Sequence, residues 1–83
     1  MLLGRVADWE QKALAALADR SGRTPAQLIA VFARWPMVSA PVAEAQTGAS
    51  RAAVQRNLEM MADRGLIREI TGQGRYRVWT AAL

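Results

Sequence analysis

The chain has no cysteine and no histidine among its 83 residues. Without cysteine there is no disulfide and no thiol nucleophile, and without either residue a Cys/His zinc site is excluded. A Ser-His-Asp triad and a histidine pH switch are excluded with them. Long apolar runs are also missing. The opening MLLGRV is too short for a signal peptide, and no run reaches the roughly 18 apolar residues that a membrane span needs. Nothing repeats, and no segment is low in complexity. Glu59 and Asp63 lie one helical turn apart, but no nucleophile has a base to activate it and no metal-ligating cluster stands out. The expectation is a cytoplasmic, non-enzymatic chain with no catalytic group, no metal, no cofactor and no membrane contact.

What is present is a small apolar chain with a basic bias. Hydrophobic residues make up 52%, enough for one compact domain at the lower end of self-sufficient size. Lys and Arg number 11 against 7 Asp and Glu, a net charge of +4, and all but Lys12 of those bases are arginine. Arginine forks onto phosphate and stacks on planar groups, so the balance points to a polyanionic partner.

Helical periodicity places a first helix from Leu3 or Asp8 to Asp19, with Val6, Trp9, Ala13, Leu14, Ala16 and Leu17 recurring on one side. Ser21-Gly22 should stop it. In TPAQ, Thr24 suits an N-cap, Pro25 the first helical position and Gln27 a capping box, opening a second helix that ends before Pro36. Met37-Val38-Ser39 reads as a short strand. Ser39 or Ala40 then caps a brief helix, PVAEAQ, and Thr47-Gly48-Ala49 turns the chain. Ser50 caps a longer helix to about Arg64, with Gly65 as its C-terminal cap. LIREIT and RYRVWT flank GQG as a hairpin, and the last Ala-Ala-Leu reads as a frayed end.

This order predicts a mainly α fold with a small β-hairpin: a winged helix-turn-helix of four helices and a two- or three-stranded wing. Residues 1–22 form an N-terminal helix expected to pair with its twin in a dimer along Leu2, Val6, Trp9, Ala13 and Leu17. Residues 23–83 form the DNA-binding unit. In the fourth helix Val54, Leu58 and Met61 make the core stripe. The first two turns then offer Ser50, Arg51, Ala52, Gln55 and Arg56 to a major groove, where arginine suits guanine, glutamine adenine and alanine a thymine methyl. Arg56 would equally suit a surface pair with Glu59. One departure concerns the turn: Glu44 stands where such motifs place a small residue, leaving Ala43 and Ala45 to do the packing.

In the hairpin, Gly72 and Gly74 permit a tight turn around Gln73, and Arg75 and Arg77 alternate with Tyr76 and Val78. Both arginines are expected on a solvent-facing side, where with Gln73 they would grip phosphates or a minor groove. The competing use is structural, with Tyr76 and Trp79 plugging the core and the arginines keeping an edge strand soluble. The expected partner is double-stranded DNA, which would make the chain nucleoid-associated. The alternative is a winged helix that contacts proteins instead, through large side chains such as Trp9, Trp35, Met37 and Met60.

From Arg34 to Trp79 the chain resembles the C-terminal helix-turn-helix domain of a group of uncharacterised proteins from rhizobia and related bacteria. It is also similar to the C-terminal winged helix of Fic-domain proteins. The motifs S-R-A-A-V-Q, R-G-L-I-R-E and T-G-Q-G-R-Y-R carry the likeness. The resemblance implies DNA binding by the Ser50–Arg56 helix start and by Arg75 and Arg77, as a transcriptional regulator or part of one. The Fic catalytic histidine and its Gly-Asn-Gly-Arg run have no counterpart here.

Overall fold

The computed structural model describes residues 2–71 and 77–83, so Gln73 and Arg75 of the expected wing lie outside the described residues. Helix α1 (Leu2–Ala16) sets Trp9 and Ala13 on one face, and Leu17 continues that row one residue past its end; all three are buried. Leu14, expected on the same face, is 44% exposed because the row at intervals of four leaves it to one side. The helix ends three residues before Asp19. Ala18 and Arg20 then bond back three residues, to the carbonyls of Ala15 and Leu17, which tightens the chain out of the α-helical path. Gly22, at φ 83°, swings the chain into the next helix and does not cap α1.

Helix α2 (Thr24–Arg34) starts one residue earlier than its sequence suggests. Thr24 is inside the helix. The N-cap is Arg23, whose carbonyl accepts the Gln27 N–H at 3.0 Å, and no side chain caps the end. Pro25 is tolerated because first-turn N–H groups have no helical acceptor. Leu28, Ile29, Val31 and Phe32 are buried, and Phe32 meets Trp9 edge-to-face at 6.4 Å. Trp35 turns extended (φ −112°, ψ 131°), as a residue before proline must.

Strand β1 (Val38–Ser39) leads directly into α3 (Ala40–Thr47), capped by Ser39, and α4 (Arg51–Asp63) follows, capped by Ser50. Val54, Leu58 and Met61 are the buried stripe of α4. At its end Gly65 takes φ 74°, its N–H reaching the Ala62 carbonyl while the Leu66 N–H reaches that of Met61, with both Leu66 and Met61 in the core. This paired arrangement satisfies carbonyls that the helix leaves open.

Strands β2 (Ile67–Glu69) and β3 (Val78–Ala81) complete an antiparallel sheet of order β1-β3-β2. Trp79 lies opposite both Val38 and Glu69, and Ile67 lies opposite Ala81. The C-terminus is less frayed than expected: Ala81 belongs to β3, and the Ala82 N–H bonds the Leu66 carbonyl at 2.9 Å. That same carbonyl accepts the Trp9 indole N–H at 2.7 Å, which fastens α1 to the base of the sheet. Among the described residues, four helices and a three-stranded sheet around one core make a mainly helical winged helix. No helix among the described residues is long and apolar enough to cross a membrane.

Candidate nucleic-acid interface

The turn between α3 and α4 is built from local bonds. Gly48 is left-handed at φ 71°, a conformation that costs side-chain-bearing residues energy. The Thr47 hydroxyl donates to the Ala43 carbonyl at 2.7 Å and accepts the Ala49 N–H at 3.1 Å. Ala43 is the fully buried small residue where the helices meet, while Ala45 is exposed and takes no part. Glu44 is half-buried, with 29% of its side chain exposed, and its carboxylate lies 3.9 Å from Arg51.

Ser50 accepts the Ala53 N–H at 3.1 Å and starts α4 at the surface. The Arg51 side chain is 85% exposed, so its contact with Glu44 is a loose, water-screened pair. Ala52 and Arg56 are exposed on the side of α4 opposite its core stripe, and Gln55 is half-buried on the flank. Gln55, not Arg56, reaches Glu59, through a long 3.5 Å hydrogen bond. Arg56 has no ion pair among the described residues, so its charge is available to a ligand. The first turns of α4 therefore bring Ser50, Arg51, Ala52, Gln55 and Arg56 together on one open surface.

Arg77 is placed differently from the solvent-facing position its alternation suggested. It precedes Trp79 by two residues and so shares the strand face on which Trp79 is buried. Its guanidinium lies 4.8 Å from the Trp79 ring centroid, its Nε donates to Glu69 Oε1 at 2.9 Å, and its Nη2 forms an ion pair with the same oxygen at 2.8 Å. The Thr71 hydroxyl donates to the other Glu69 oxygen at 3.2 Å and accepts the Val78 N–H at 3.4 Å. Arg77 therefore braces the base of the wing while 30% of its side chain stays exposed. Arg68 and Thr80 pair across the outer face, where Arg68 is exposed.

One feature of the surface was invisible at short sequence range. Arg64 grips Asp19 at two points, 2.9 and 3.1 Å, and also bonds the Ala16 carbonyl. The hydrogen bonds from Arg64 hold the Asp19 carboxyl below its ordinary value of 3.8. The α1–α2 turn is thereby tied to the end of α4.

A family model described as an HTH DNA binding domain matches residues 25–81, from α2 to the end of β3. The chain belongs to this family. DNA is thus its partner, and the matched span includes α3, the Gly48 turn and α4. The match leaves α1 and the turn after it outside. No curated protein matches the chain.

Proposed function

We propose that the chain reads duplex DNA in a sequence-specific manner, as a bacterial transcriptional regulator or the DNA-binding part of one. The start of α4 enters the major groove, where Arg51, Ala52, Gln55 and Arg56 meet base edges and the Ser50-capped end approaches a phosphate. Gln73, Arg75 and the exposed part of Arg77 contact the backbone from the wing. The single observation behind this is that Arg51 and Arg56 keep their charge available on an open face of α4 within the family match.

Selection from a random duplex pool at two salt concentrations tests the proposal. Arg56→Ala or Gln55→Ala should relax preference at particular bases by about 1–3 kcal/mol per lost bidentate contact. Failure to bind any duplex at low salt defeats it. A second reading, protein contact, is favoured by a shallow groove of about 270 Å³ beside the wing. Met37, Val42, Ile70 and Val78 line it, and Met37 is 62% exposed. Retained function in Arg56→Ala combined with loss in Ile70→Ser would select that reading. Dimerisation through α1 remains part of the proposal, but Trp9, Ala13 and Leu17 are occupied by the chain's own core. A twin would therefore meet outward residues such as Leu14, and sedimentation as a monomer at micromolar concentration would remove the dimer.

A further inference from the structure

The two flanks of α4 face different neighbours. On one side Arg51 approaches Glu44 of α3. On the other, Arg56, Asn57 and Met60 line a cleft of about 290 Å³ with Asp19, Arg20, Ser21 and Pro25. The α1–α2 turn thus runs alongside the proposed recognition helix. A helix about 10–12 Å across fills a major groove about 12 Å wide, so whatever flanks it lies over the sugar-phosphate ridges.

The charge of this turn suits such a ridge. Arg20 and Arg23 are exposed, and neither has an ion pair among the described residues. Asp19, the acid of the turn, is engaged by Arg64 through both carboxylate oxygens. The same pair, with the Arg64 bond to the Ala16 carbonyl, ties the turn to the end of α4.

We propose that the α1–α2 turn is a second backbone-gripping lobe, in which Arg20 and Arg23 hold phosphates on the flank of α4 opposite α3. This rests on the reading of α4 as the groove-entering helix. It assigns a role to residues that precede the family match at 25–81.

The test uses the full chain with Arg20→Ala and Arg23→Ala combined, titrated with one duplex across a salt series, with far-UV circular dichroism to check folding. Losing two phosphate contacts should lower the slope of log affinity against log salt by about 1.8. Affinity at 0.1 M salt should fall by roughly one to two orders of magnitude, equally for all sequences. Lysine at both positions should restore the slope, because a point charge suffices for phosphate. A wild-type chain that binds duplex, with an alanine variant of unchanged slope and affinity, overturns this proposal alone. A wild-type chain that binds no duplex overturns the DNA reading, and this proposal with it.

Discussion

Replacing each buried tryptophan by phenylalanine separates two roles that burial alone does not distinguish. Trp9 and Trp79 are 3% and 1% exposed, so in either case the smaller ring leaves unfilled space worth roughly 1–2 kcal/mol. Trp9 also loses a 2.7 Å hydrogen bond to Leu66, worth about 1 kcal/mol. The Leu66 carbonyl keeps the Ala82 N–H, so no orphaned acceptor adds to the loss. Trp9→Phe should therefore cost about 2–3 kcal/mol. The Trp79 indole N–H has no acceptor among the described residues, and burying such a donor costs about 1–3 kcal/mol. Removing it offsets most of the lost ring, so Trp79→Phe should be close to neutral. Urea unfolding followed by far-UV circular dichroism measures both. A neutral Trp9→Phe would mean that α1 is not part of the cooperative unit. An equal loss in both variants would refute the assignment of the two indole groups.

Two further outcomes follow from the helix ends and the turn. Gly65→Ala should destabilise by about 1 kcal/mol, since φ 74° is strained for any residue with a Cβ, and an unchanged urea midpoint would contradict this. Arg64 lowers the folded pKa of Asp19 below 3.8, so the pair's contribution is present above that pH and disappears as pH falls through the lowered value. Asp19→Asn should therefore weaken the fold near neutrality and lose that difference in strong acid; a gap that persists there would refute the pairing.

Much of the helix-turn-helix was legible because its determinants are local. Ser50 bonds three residues ahead, Gly48 and Gly65 adopt left-handed turns, and Val54, Leu58 and Met61 repeat at helical spacing. The start of α2 was less legible, since Thr24 and Arg23 compete for the cap and a backbone bond to Gln27 decides between them. Likewise Ala43 and Ala45 are chemically alike, and only contact with the neighbouring helices shows which of them is buried.

By itself the order of residues determined the helix-turn-helix, the α4 surface and the absence of Cys/His chemistry, since each depends on composition or on partners a few positions apart. Packing alone decided which side of β3 is inner, and hence that Arg77 stacks on Trp79 and pairs with Glu69. It also brought Asp19 to Arg64 and set the α1–α2 turn beside α4. Strand alternation states only that Arg77 and Trp79 share a side; burial of that side follows when the helices cover it.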